Sequence, residues 1–260
     1  MTVHWWGTFT IPLGKEGQFR IGPLVLTVQR LANEWQVIRH DAADGKENET
    51  AVNVPLPLEE PPARCQITRF ATDSTGTEVR VVPILPDRSV ITRPERPLTL
   101  LPNTKVTLYV GSPVWVRLLQ DGSDPIGEVP ISPPKEAWLG PSTMDGELCY
   151  ATRTVGRLSL SDATLRPHRV VTPVSIHNDA NSPFLCDQVN LPVRRLSVYA
   201  SDMGRLFTEA VTLVHAESDE FAGVRIGRGA PPEAPGATEL SAARDAENES
   251  AFRAFGRLFG

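Results

Sequence analysis

Proline is spread so densely through this chain, 24 of 260 residues, that long helices are excluded over most of its length. Each proline removes a backbone donor and fixes φ, and a helix interior seldom survives that. Between the prolines lie short stretches rich in Val, Leu, Ile and Thr that alternate apolar with polar residues. "PLVLTVQRL" (23–31), "KVTLYVGS" (105–112), "VWVRLL" (114–119) and "RRLSVYAS" (194–201) all read as strands. "LANEWQVIRH" (31–40) reads as a turn at Ala32-Asn33 followed by another strand. Many short strands separated by turn chemistry define an all-β protein of the sandwich or barrel class. The length allows one or two domains with a sizeable core.

Short motifs recur in one order. "CQITR" (65–69) is echoed by "CYATR" (149–153), and "RVVPI" (80–84) by "RVVTPV" (169–174). "LPNTKVTLYVGS" (101–112) is echoed by "LPVRRLSVYASD" (191–202). Pro83 and Pro173, Leu101 and Leu191, and Tyr109 and Tyr199 are each 90 residues apart, while Cys65 and Cys149 are 84 apart. An internal duplication is the economical reading. It predicts two tandem, similar, sandwich-like β lobes, 1–136 and 137–226, with Cys65 and Cys149 buried on equivalent strands. Alternation places Val106, Leu108 and Val110 inward in the first lobe, and Leu196, Val198 and Ala200 together on one face in the second. Tyr109 and Tyr199 then face outward with partnered or solvated hydroxyls.

Cys149 in "GELCYATRT" (146–154) is the residue most suggestive of chemistry. A nucleophile need not recur in a sister lobe, and free cysteine behaves as a small buried hydrophobe, so an inert thiol is expected. Cys149, His168, His177 and Cys186 lack the close spacing that puts two metal ligands on one short element. "GPST" (140–143) is not a nucleophile elbow. Glu59-Glu60 and Asp121/Asp124 lie in loops and read as solvated charges rather than a tuned acid–base pair. No glycine-rich phosphate loop joins a strand to a helix, so neither cofactor nor nucleotide is expected. Trp5, Trp6 and Trp115 fit half-buried strands. "AWLGPSTMDGELCY" (137–150) mixes Trp138, Asp145 and Glu147. It reads as an interlobe connection, or alternatively as the lining of a cleft.

A net charge of -5 argues against a broad basic surface and generic nucleic-acid binding. Three cysteines, far apart, make no disulfide framework. The N-terminal stretch lacks the pattern of a secretory signal, and no apolar run approaches a membrane span. A cytoplasmic protein is expected, without a transmembrane segment.

The C-terminal stretch differs in kind. "GRGAPPEAPGATE" (227–239) reads as a linker, here bounded at 227–238. Residues 239–260 then fit an amphipathic helix, with acids early, Arg253 and Arg257 late, and Phe252, Phe255, Leu258 and Phe259 on one stripe. Such a stripe needs cover, either from the chain's own lobes, from a protein partner or from a membrane surface.

Four stretches together resemble an uncharacterised prokaryotic family known only as a domain of unknown function. They are "FRIGPLVLTVQRLANEWQV", "VITRPERPLTLLPNTKVTLYVGSPVWVRL", "WLGPSTMDGELCYATRT" and "LPVRRLSVYASDMGRLFTEAV", and the similarity runs over residues 5–214. The resemblance implies no catalytic residues. Through the genomic company of that family it implies an association with small-conductance mechanosensitive channels, peripheral to the inner membrane. Two functions are therefore carried forward. One is a non-catalytic module binding a protein partner through Phe252, Phe255, Leu258 and Phe259. The other is a carbohydrate-binding protein or hydrolase using an interlobe cleft at Trp138, Asp145 and Glu147.

Overall fold

The computed structural model describes residues 4–42, 48–140, 144–163, 165–216, 223–245 and 258–259. It is all-β, with only two short 3-10 turns and no α-helix among the described residues. Close contacts divide the chain into two units, and neither is one continuous stretch.

The chain begins in the first unit with β1 (Gly7–Thr10), β2 (Lys15–Ile21), β3 (Leu24–Leu31) and β4 (Glu34–Asp41). It continues there with β5 (Thr50–Pro57), β6 (Gln66–Ala71) and β7 (Glu78–Ile84). It then enters the second unit for β8 (Val90–Pro94), β9 (Leu98–Leu100) and β10 (Thr104–Pro113). The first unit regains it for β11 (Trp115–Gln120) and β12 (Asp124–Pro130). The second takes β13 (Lys135–Leu139) and β14 (Glu147–Gly156), and residues 166–168 return briefly to the first. The second unit then keeps β15 (Arg169–Asn178), β16 (Phe184–Cys186), β17 (Val189–Leu191), β18 (Val198–Ala200) and β19 (Leu206–Phe207). It ends with β20 (Val211–His215), β21 (Gly223–Ile226), β22 (Thr238–Ser241) and β23 (Leu258–Phe259). The chain thus crosses at 84/85, 113/114, 132/133, 165/166 and 168/169, whereas the sequence suggested one break at 136/137.

In the first unit a four-stranded sheet runs β1-β7-β11-β12 and a five-stranded sheet runs β5-β2-β3-β4-β6. Phe9 of one meets Phe19 of the other edge to face at 5.0 Å. Trp35, fully buried, donates Nε1–H to Gln120 Oε1 at 3.0 Å. Strands β5 and β6 are opposite edges of their sheet, so residues 58–65 must travel across its width, roughly 19 Å for four strand spacings. Glu59 is caught on the way. Its N–H donates to Glu16 Oε2 at 3.2 Å, and its carbonyl accepts Gln29 Nε2 at 2.9 Å. Gln29 also donates to Glu16 at 2.7 Å, which accounts for a carboxylate only 3% exposed with neutral donors around it.

The second unit holds three sheets: β21-β20-β15-β19-β18-β22 with β10 on β15, then β17-β8-β14-β13-β23, and the pair β16-β9. Leu108 and Val110 of β10 are fully buried, as the alternation required. Tyr109 faces away from them and donates its hydroxyl to Glu233 Oε1 at 3.1 Å. Tyr199 donates to Glu209 Oε1 at 3.1 Å, and burial next to that carboxylate pushes the phenol up to about 12.

Three expectations are corrected here. The duplication is not seen in the strands: Cys65 is half-buried just ahead of β6, an edge strand, whereas Cys149 lies in β14, between β8 and β13. Likewise Tyr109 sits in a ten-residue strand, while its supposed counterpart region breaks into a 3-10 turn, Val193–Arg195, and the three-residue β18. Strands everywhere draw on the same Val, Thr, Leu and Tyr, so short motifs can repeat without equivalent strands. The linker is also a packed strap. Ala234 is 2% exposed against Val171 and Phe207, and Pro231 and Ala234 accept from the amides of Ala234 and Ala237. Composition marks its turns but says nothing of the apolar cluster waiting beneath it. Finally, the described part of the helix expected over 239–260 holds two strands, β22 and β23, with irregular chain at 242–245 and no helical turn. Phe252 and Phe255 lie outside the described residues. Backbone pairing with β18 and β13 outweighs a helical stripe.

Candidate functional site

The richest collection of sequence-flagged residues is the β13–β14 hairpin of the second unit. Its strands pair antiparallel from Lys135↔Ala151 to Leu139↔Glu147. They approach so closely at the turn that only glycine fits. A Cβ on Gly146 would meet Leu139 O at 2.5 Å and Trp138 Nε1 at 2.7 Å, and one on Gly140 would fall onto Asp145 O. The indole of Trp138 is thus seated on the backbone of Gly146.

Alternation gives the hairpin two faces. Ala137, Leu139 and Cys149 point into a cluster with Ile91, and Ala151 packs against it. Cys149 is fully buried and its Sγ–H donates to Ala137 O at 3.1 Å. Burial, with the Glu147 charge second, pushes the thiol up to about 12. Cys186, also fully buried, is pushed to about 12 by burial and then by Asp187. Glu147 shares the Cys149 face, where its Oε1 accepts Asn190 Nδ2 at 2.6 Å and Ser89 Oγ at 3.4 Å. Trp138 and Leu148 are register partners on the other face, Trp138 half-buried and Leu148 41% exposed. Asp145 is exposed at the turn. Trp138 and Glu147 therefore lie on opposite sides of one hairpin, and the three residues of the cleft reading do not converge.

Beside Trp138 and Leu148, Tyr150 donates its hydroxyl to Asp87 Oδ1 at 2.9 Å, and the Arg88 guanidinium lies 5.4 Å over its ring. Burial foremost, then the Asp87 bond, raises the Tyr150 phenol. Arg88 reaches Glu136 at 2.6 Å, so a charged pair borders the apolar row. Nothing in the spacing of "LPDRS" (85–89) announces this. Along the opposite border, β23 pairs with β13 through Trp138↔Phe259 and Leu139↔Leu258. The chain leading there is fastened at Asp245, which takes a bidentate contact from Arg194 at 2.7 and 2.9 Å and donates its N–H to Arg194 O at 2.9 Å. Arg244 Nε adds a bond to Leu85 O at 2.8 Å. The Arg194 guanidinium holds the Asp245 carboxyl below the usual carboxylate range.

A family model described as a protein of unknown function, DUF432, matches residues 5–259. The chain belongs to DUF432. Neither a curated protein nor a solved structure matches it. The DUF432 match runs on to residue 259, past the 5–214 of the sequence resemblance, and so takes in β22, the Arg194–Asp245 contact and β23. These are parts of the family's domain rather than an appendage. Among the described residues of this DUF432 chain no three His, Cys, Asp or Glu side chains are grouped to hold a metal. No helix among them is long and apolar enough to cross a membrane.

The cysteines of the DUF432 domain give a direct check. A thiol held near 12 is ionised roughly a thousandfold less at pH 8 than one at 9, and burial slows it further. Of the three cysteines, only Cys65 is expected to react with an aromatic disulfide reagent in the native protein, and all three after denaturation. Two or more fast native equivalents would show Cys149 or Cys186 to be accessible.

Proposed function

We propose that this DUF432 protein is a non-catalytic interaction module, accessory to a small-conductance mechanosensitive channel at the cytoplasmic face of the membrane. The observation that carries the reading is the outer face of the β13–β14 hairpin. Leu148, 41% exposed, and Trp138 form an apolar pair in register, rimmed by Arg88 and Glu136, with the backbone of β23 paired along the β13 edge. An apolar centre with a charged rim is the anatomy of a protein-binding patch. The choice of channel comes from the family resemblance. In the hairpin, the Cys149 thiol is engaged by Ala137 O and the Glu147 carboxylate by Asn190 and Ser89, which supports the non-catalytic reading. We read the first unit as a β-sandwich, supported by the Phe9–Phe19 and Trp35–Gln120 contacts between its sheets.

The test is co-purification of the channel from native membranes. Ending the chain at Gly236 would delete β22 and the Asp245 contacts and disturb the fold itself. A chain ending at Asp245 loses β23 and keeps both. That chain and Leu148→Asp in the full chain are each expected to lower channel recovery by roughly fivefold or more, the equivalent of about 1 kcal/mol. Equal recovery with all three proteins, or no channel with any, overturns the reading.

A further inference from the structure

We propose that the strap at 228–237 is a hinged lid, which swings off the large sheet of the second unit about Gly229 and Gly236 while both its ends stay fixed. None of its residues belongs to the β13–β14 patch.

The register shows what the strap lies across. β10 takes β15 along its full length, 169–178, and a strand has only two edges. β19 and β20, which pair with β15 at 170–171 and 174–178, must therefore share the other edge. β21 lies outside β20, and β18 and then β22 lie outside β19. The strap thus leaves the sheet and rejoins it on one side of β15. Its start is held by the Gly227 N–H on Ala210 O at 2.8 Å, and its end runs into β22. Between these points Ala234 reaches Phe207 of β19 and Val171 of β15. Glu233 Oε1 goes further, accepting the Tyr109 hydroxyl of β10 at 3.1 Å. An excursion of this length, folded back by its own turns, has the form of an Ω-loop, and lids are often built from such loops.

The closed form is held lightly. Only Pro231 and Ala234 are buried, while Pro232, Pro235 and Gly236 are exposed. Ala234 plugs a seat around which Tyr109, Leu160 and Leu165 pack. The bonds from Ala234 N–H to Pro231 O and from Ala237 N–H to Ala234 O are turns within the strap, so lifting it breaks neither of them nor the sheet. The latch is incomplete, because Glu233 Oε2 is buried with no hydrogen-bond partner among the described residues. A buried oxygen left unanswered penalises the closed form. Gly229 and Gly236 sit in the left-handed region at φ +72° and +74°, and a Cβ on either would meet nothing within 4 Å. Their dihedrals can therefore change without any neighbour moving. Opening bares Tyr109, Val171 and Phe207 together, a strip that the closed strap covers.

Hydrogen exchange followed by NMR on the full chain tests the lid at the Ala234 and Ala237 amides. Both are expected to exchange at least roughly tenfold faster than the paired amides of β15, because a lid opens without the sheet. Tyr109→Phe leaves neither oxygen of Glu233 answered and should raise their exchange by roughly a further tenfold. Adding Glu233→Met to Tyr109→Phe sets two apolar groups face to face, and exchange should return to the parent rate or below. Gly236→Ala touches nothing in the seat but strains the closed hinge, so exchange should rise severalfold. Exchange in β15 stays unchanged in each variant. Ala234 and Ala237 exchanging at the β15 rate, as they would if the strap left only on global unfolding, overturn the proposal. So does exchange at the rate of an unstructured peptide, which would show the strap unseated. A double variant as fast as Tyr109→Phe alone, or a Gly236→Ala chain that matches the parent, counts equally against it.

Discussion

Trp35→Ala is expected to lower the free energy of unfolding by about 5 kcal/mol, the upper range for removing a buried aromatic ring. The indole is fully buried, its Nε1–H serves Gln120 at 3.0 Å, and the Arg30 guanidinium lies 5.1 Å over its ring. Truncation opens a cavity, strands the Gln120 acceptor and removes the surface on which Arg30 rests. For a protein with a typical total stability of about 5–15 kcal/mol, much of the margin goes. Urea denaturation followed by circular dichroism measures it as a fall in midpoint at unchanged slope. Trp35→Phe refills most of the volume but leaves Gln120 without its donor, and should cost about 1–3 kcal/mol. A loss under about 2 kcal/mol for the alanine variant would mean the site collapses well and the indole bond adds little.

Arg30→Met is the second large effect. This guanidinium, 2% exposed, is partnered by carbonyls: Nε donates to Gly76 O at 3.0 Å, NH2 to Ser74 O at 2.5 Å, and NH1 to Leu31 O and to Glu34 O. One fork of donors thereby fixes the 72–77 connection between β6 and β7. A methionine keeps the apolar stem but leaves those carbonyls unanswered, at an expected cost of about 3–4 kcal/mol. Arg30→Lys can serve only part of the fork and should recover less than half of the loss. Limited proteolysis distinguishes the mechanism. Cleavage should concentrate at residues 72–77 in Arg30→Met and not in Trp35→Phe. A methionine variant as stable and as resistant as the parent would show that water satisfies these carbonyls equally well.

Much of the β framework was legible because prolines and period-2 alternation act locally. The turn at Ala32-Asn33, β3, β11 and the inward register of Leu108 and Val110 are all decided within a few residues. What the sequence could not decide was how distant segments come together. "CQITR" and "CYATR" are both strand-like, but whether a strand ends at a sheet edge, as β6 does, or lies inside one, as β14 does, depends on partners far away in sequence. The strap at 228–237 looked free because its buried contacts, Ala234 on Val171 and Phe207, come from other strands. The helical stripe of phenylalanines was a real pattern in the sequence, and β23 shows that pairing with β13 overrides it at Leu258–Phe259. Within the candidate site, the apolar character of Cys149 could be read from its strand-like surroundings, and it is fully buried. The bordering Arg88, Tyr150 and Asp87 gave no signal, since only folding brings residues 87 and 150 within 2.9 Å.

The interleaving of the two units has a bearing on how the protein can be made. Trp5 donates its indole N–H to the carbonyl of Pro167 at 2.9 Å, across 162 positions, and residues 166–168 belong to the first unit. A ribosome adding about 5–20 residues per second needs on the order of ten to thirty seconds between those two residues. Until β11 and β12 emerge, the β7 edge of the nascent first unit lacks the rest of its sheet, and residues 166–168 reach it only after further strands of the second unit have been made. Vectorial folding, in which an N-terminal domain completes itself before the next emerges, is closed to this topology. No single cut in the gene therefore separates one unit from the other: any fragment that holds one unit whole also carries segments of the other.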